Sequence, residues 1–185
     1  MASAIDPLSA FKAVIATPEP PVLGPQRRPG TAGEAELRRQ IEAFIVELGI
    51  PARIQPALCS AALLWHDHLD ASHTISQSIE TREGSWLHGI MHRREPDYGN
   101  AKYWFHRVGS HDAFPKLARR VTPVVQNGPG EVSGRLIKEG GWMPFAFIEE
   151  CERSEQGRDP AVKTLLRQVQ SVEFDVLVEH ILASA

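Results

Sequence analysis

Cysteine is scarce in this chain. Of 185 residues only Cys59 and Cys151 carry a thiol, and they stand far apart with no CxxC spacing. Such a pair makes no disulfide framework. It reads as two small apolar residues of a reducing compartment. Charge of one sign is lacking too: 20 Lys and Arg against 23 Asp and Glu leave a formal charge of −3. A general nucleic-acid binder is normally basic, so no nucleic-acid partner is expected. No stretch approaches the ~18 uninterrupted apolar residues of a membrane span. The start of the chain has no basic region, and Asp6 interrupts its apolar residues, so neither a membrane partner nor a signal peptide is expected. The expected location is cytoplasmic. A Gly-rich phosphate loop, a nucleophile elbow and the HExxH of zinc proteases are missing as well.

Histidine, by contrast, is concentrated. Seven of the eight histidines (His66, His68, His73, His88, His92, His106, His111) and three of the four tryptophans lie between Trp65 and His111. Carboxylates and cations are threaded between them: Asp67, Asp70, Glu95, Asp97, Arg93, Arg94, Lys102 and Arg107. If the chain has a functional centre, it lies in segment 66–111.

The periodicity is helical. Residues 1–31 hold six prolines and the run PEPPVLGPQRRPG, which reads as an extended or disordered Pro-rich arm. Residues 32–185 read as one helical domain. Leu37, Ile41, Phe44, Ile45 and Leu48 recur at helical spacing from Thr31 or Gly33, and Gly49 with Pro51 stops the helix. A long helix is expected over 52–80, weaker in its second half where Ser72 and Ser76 fall in the apolar arc. Further helices are expected over 86–95 capped by Ser85, 101–108 capped by Asn100, 115–121, 131–139 and 144–154. Between 121 and 131 the NGPGE run predicts a loop. Asp159-Pro160 starts the last helix, whose apolar face includes Leu166 and Val169. No alternating strand stands out. The fold class is an all-α, irregular single-domain bundle of about seven helices.

The strings LLWHDHLDASHTISQSIE, HGIMHRREPDYGNAKYWFHRVGSH and GGWMPFAFIEECE, with a C-terminal LLRQVQSVEFDVL, resemble a family of hypothetical proteins of bacteria and fungi. The resemblance covers roughly residues 40–182. It implies a compact single domain and transfers no catalytic residue.

A helix turns about 100° per residue. His66, Asp70 and His73 therefore share one stripe, and His88, His92 and Glu95 another. Two antiparallel helices joined by a short turn could set these stripes side by side, giving four imidazoles and two carboxylates. Zinc, iron or manganese accepts such ligands. The apolar arcs lie nearly opposite, so the stripes equally suit a metal-free polar pocket or a solvated or hydrogen-bonded structural network. A second group, Arg93, Arg94, Asp97, Asn100, Lys102, Arg107 and His111, suggests a pocket for a small anionic molecule, since arginine forks grip carboxylate and phosphate. The leading reading is a small-molecule site, as a metal-dependent acid/base or hydrolytic enzyme. The alternative is a non-catalytic structural or interaction protein.

Overall fold

The helix Arg82–Arg94 (α5) is the axis of the fold, and every residue from Gly84 to Arg94 is buried. Its sequence, REGSWLHGIMHRR, is polar, and polar groups inside a protein need partners. The rest of the architecture supplies them. Residues 6–126, 128–157 and 159–184 are described by the computed structural model. Among these residues the chain is all-α, with ten helices and one small hairpin.

Helix α1 (Pro7–Val14) and helix α2 (Glu34–Leu48) pack together through the rings of Phe11 and Phe44, 5.6 Å apart. Gly49 ends α2 in the left-handed conformation, as its sequence predicts. Helices α3 (Gln55–Trp65) and α4 (Leu69–Ser76) follow, then α5, α6 (Tyr98–Val108) and α7 (Phe114–Gln126). Helix α8 (Gly130–Leu136) leads into strands β1 (Ile137–Lys138) and β2 (Gly141–Trp142), paired antiparallel with Ile137 opposite Trp142. Helices α9 (Pro144–Glu155) and α10 (Pro160–Ala183) complete the chain. Gly89 lets α6 approach α5 closely, since a Cβ there would stand 2.7 Å from the Phe105 ring.

Several boundaries differ from the sequence reading. The expected helix over 52–80 is two helices. The chain breaks at His66–His68, where Asp67 takes a positive φ of 66°. Thr81 caps α5 in place of Ser85, accepting from the Gly84 N–H, and Asp97 caps α6 in place of Asn100. Helix α7 continues through Pro123 to Gln126, because Pro123 sits on its exposed side while Val121 and Val125 stay buried. Asn127 of the NGPGE loop lies outside the described residues. The expected helix to Glu139 ends at Leu136, where Glu139 and Gly140, both at positive φ, turn the hairpin.

The arm needs the largest correction. Its residues 1–5 lie outside the described residues, but 7–14 are helical and Phe11 is fully buried. Asp6 caps this helix at the Ser9 N–H, and Pro7 at its first position has no N–H to leave unpaired. The Pro-rich run that follows holds no helix or strand and lies along the body, with Pro21, Gly24 and Arg28 buried. Its carbonyls accept from other elements: Pro20 from Arg167 (2.8 Å), Pro21 from Gln170 (3.2 Å), and Val22 from Gln170 (3.1 Å) and Arg94 (3.1 Å). Backbone outside helix and strand leaves its carbonyls unpaired, and these side chains satisfy them.

Candidate metal centre

His73 from α4 and His88 and His92 from α5 converge, with one ring nitrogen of each within 4.8 Å of the others. Their ring centroids lie 4.6, 4.8 and 5.3 Å apart. His88 and His92 sit one helical turn apart, and the α4–α5 turn brings His73 onto the same side. His88 and His92 are buried, whereas His73 is half-buried and forms the open edge.

The contacts around the rings bear on where the protons sit. Ser76 Oγ donates to the His73 carbonyl (3.3 Å) and lies 3.0 Å from His88 Nδ1. With that proton on the carbonyl, the hydroxyl would accept from His88 Nδ1–H and leave a lone pair on His88 Nε2. That lone pair faces His92 Nε2 at 3.0 Å. On the far side of the His92 ring, the buried Nδ1 has no hydrogen-bond partner. Glu95 Oε2 stands 3.4 Å from it and Asp97 Oδ2 3.9 Å.

Each neutral tautomer of His92 satisfies one ring nitrogen and leaves the other facing an acceptor. A proton on Nε2 leaves the Nδ1 lone pair facing two carboxylates. A proton on Nδ1 sets two Nε2 lone pairs against each other. A cation between the two Nε2 atoms would take up both lone pairs. Metal–nitrogen bonds of 2.0–2.1 Å in a tetrahedral site put adjacent nitrogens about 3.3 Å apart, close to the gap seen. The Nδ1–H of His92 would then face Glu95, in the carboxylate–histidine–metal pattern.

The electrostatics favour neutral ligands. Burial, then the neighbouring imidazoles of His92 and His73, push His88 down to about 3. Burial also lowers His92, against the pull of Asp97. Burial raises Glu95, opposed by His73 and reinforced by Asp70 and Asp97. Trp104 stacks on His88 with centroids 3.9 Å apart.

A second histidine group is built differently. Glu83, His111 and His180 also come within ligand reach of one another. His111 Nδ1 accepts the Ala113 N–H (3.1 Å), so its Nε2 carries the proton and faces Glu83 Oε1 at 3.3 Å. A protonated Nε2 has no lone pair for a metal. His180 Nε2 reaches the same oxygen at 3.3 Å. This group is a hydrogen-bonded clamp of α5, α10 and the segment before α7.

The expected metal set therefore changes. His73, His88 and His92 come together with Glu95 beside them. Asp70 is exposed, one turn before His73 on α4. His66 lies outside the group: it ends α3, and its Nδ1 accepts the Ala32 N–H at 3.0 Å. The break at Asp67 rotates it off the His73 stripe.

The expected anion pocket is not assembled. Arg93 pairs with Glu173 (2.5 Å) and lies over the Phe147 ring. Arg94 pairs with Asp67 (2.6 Å) and donates to the carbonyls of Leu64, Val22 and Gly24. Consecutive residues on a helix point about 100° apart, so the two arginines serve different faces of α5. Asp97 and Asn100 bond each other at the start of α6, Lys102 pairs with Glu149, Arg107 lies over Trp104, and His111 belongs to the clamp.

The sequence reading missed Ser76, Glu83 and His180 as partners. Ser76 had one signal, a small hydroxyl in an apolar arc three residues after His73. Glu83 and His180 stand 97 positions apart, beyond the reach of any local pattern. The helices leave no segment long and apolar enough to cross a membrane among the described residues. Comparison with protein-family models, curated proteins and solved structures returns no match.

Proposed function

We propose that the chain binds one divalent transition metal (zinc, iron or manganese) through His73, His88 and His92, and acts as a metal-dependent acid/base or hydrolytic enzyme on a small molecule. The observation that carries this reading is the 3.0 Å approach of His88 Nε2 and His92 Nε2, with the Ser76 hydroxyl 3.0 Å from His88 Nδ1. Three protein ligands with one open position are the arrangement of catalytic zinc sites. The half-buried edge at His73 gives that position access to solvent. A bound divalent ion supplies Lewis acidity and lowers the pKa of a coordinated water. Ser76 and Glu95 orient the ligand rings.

Protein purified without chelators or a histidine tag should carry close to one transition metal per chain by elemental analysis. His88→Ala with His92→Ala should remove the metal, and His180→Ala should leave it. Sub-stoichiometric metal after reconstitution with zinc, iron and manganese would sink the proposal.

One observation favours a second reading. Glu95 and Asp97 flank His92 Nδ1, so a proton in place of the metal would make His92 an imidazolium donating on both sides. The histidines would then be a structural hydrogen-bonded network in a non-catalytic protein. Burial of His92 opposes that charge. The same metal analysis separates the two readings.

A further inference from the structure

Ala32, where the arm runs into α2, is held at both of its backbone groups by the α3–α4 junction. Its N–H donates to His66 Nδ1 at 3.0 Å, and its carbonyl accepts from His68 Nε2 at 2.9 Å. The two imidazoles play opposite parts. His68 donates, so it keeps its bond in either charge state. His66 accepts through a lone pair, which a proton on Nδ1 would occupy. The His66 ring is 2% exposed, and its Nε2 completes no hydrogen bond, although the Ile15 carbonyl at the end of α1 favours a proton on the ring. The charged and titratable groups around it are Arg28 from the arm and Asp67 and His68 from the junction. From α2 comes the neutral Gln40, which lines one open groove with His66, Gly30 and Thr31. Burial, the largest cause, lowers the pKa of the ring, and Arg28 and His68 add to it. The Ile15 carbonyl and Asp67 act against them.

We propose that His66 is a pH-sensitive clip: its protonation releases Ala32 and frees the end of the arm from the α3–α4 junction. Arg28, bound to Asp67 at 2.8 Å, stays in place, and Gly30, at a φ of 81°, is the hinge. A histidine whose folded pKa is depressed favours the docked state fully above its free value of about 6.5, and that contribution is lost as pH falls through the folded value. The Asp67 carboxyl is held below the usual carboxylate range, so the Arg28 anchor outlasts the clip as pH falls. The clip makes the start of α2, where Gly33 offers no side-chain cap, the acid-labile corner of the fold.

Hydrogen exchange at the Ala32 amide, followed by NMR, gives the test. In wild type its protection, corrected for the intrinsic pH dependence of exchange, should fall at least about threefold between about pH 7.5 and about pH 5. The midpoint of the fall should match that of the His66 ring resonances. His66→Asn puts an acceptor oxygen that does not titrate near the place of Nδ1, and it should keep Ala32 protected across the range. The histidines of the metal centre are the same in both proteins, so acid loss of a metal ion cannot produce the difference. Protection that stays constant in wild type, or that falls equally in His66→Asn, would overturn the clip. A wild-type fall whose midpoint departs from that of the His66 ring would overturn it too, and that comparison needs no variant.

Discussion

Arg94 meets Asp67 at 2.6 Å with both side chains shut off from solvent. Asp67 also takes the backbone N–H (2.9 Å) and Nε (2.8 Å) of Arg28 from the arm. One carboxylate thus joins the arm, the end of α3 and the central helix. Burial opposes its ionisation, and the donors of Arg28 and Arg94 outweigh that and hold it below the usual carboxylate range. Asp67→Asn keeps a residue type that tolerates positive φ and removes the charge, leaving two buried guanidinium groups without their counter-ion. The variant should lose about 3–5 kcal/mol in chemical denaturation. A loss under about 1 kcal/mol would mean the junction is solvated.

The arm is a structural element, so deleting residues 1–30 should be severe. The deletion removes Phe11 from the core and Arg28 from Asp67. Loss of a buried phenyl group alone costs about 3–5 kcal/mol. Thermal melting followed by circular dichroism should shift far down or lose cooperativity. A nearly unchanged melt would return the arm to the loose tail that its prolines suggest.

Ser76→Ala tests the proton assignment at the metal centre. The change is small and removes the group that holds His88 Nδ1. Loss of such an outer partner typically weakens metal binding about 10–100-fold. Competition with a chelator should show that loss in Ser76→Ala while the melting curve of the metal-free protein moves little. Unchanged metal affinity would remove Ser76 from the site.

The clamp at Glu83 should appear in the acid limb of the stability curve. The His111 hydrogen bond, ahead of other causes, lowers Glu83 from 4.5 to about 2. A carboxylate whose folded pKa is depressed adds stability above its unfolded pKa and loses it as pH falls through the folded one. Glu83→Gln should therefore cost about 1.5–3 kcal/mol at neutral pH, as for a hydrogen bond to a charged group. The gap to wild type should hold down to about pH 4.5, then close toward about pH 2. A gap that stays constant over that range would place the effect in packing instead.

Leu166 and Val169 are fully buried on α10. Leu166→Ala should cost about 2–5 kcal/mol in urea unfolding. A cost within experimental error would take that face of the helix out of the core.

Part of what the chain states locally holds, although Thr81 and Asp97 cap their helices in place of Ser85 and Asn100. Gly49 with Pro51, and Asp159 with Pro160, mark helix ends because caps and breakers act within one turn. The spacing of His88 and His92 sets two imidazoles on one face of α5. The remaining features were decided in three dimensions. Helical period alone joined His66 to His73, but the chain breaks at Asp67. The partners of that residue, Arg28 and Arg94, lie 39 and 27 positions away. The same pairing, with that of Arg93 and Glu173, withdraws the arginines from the anion pocket that their positions in the sequence suggest. A buried charge is stable only beside its counter-charge, and the counter-charges reach it only when the helices pack. For that reason local sequence placed the histidines of α5, and tertiary structure kept His73 beside them and took His66 away.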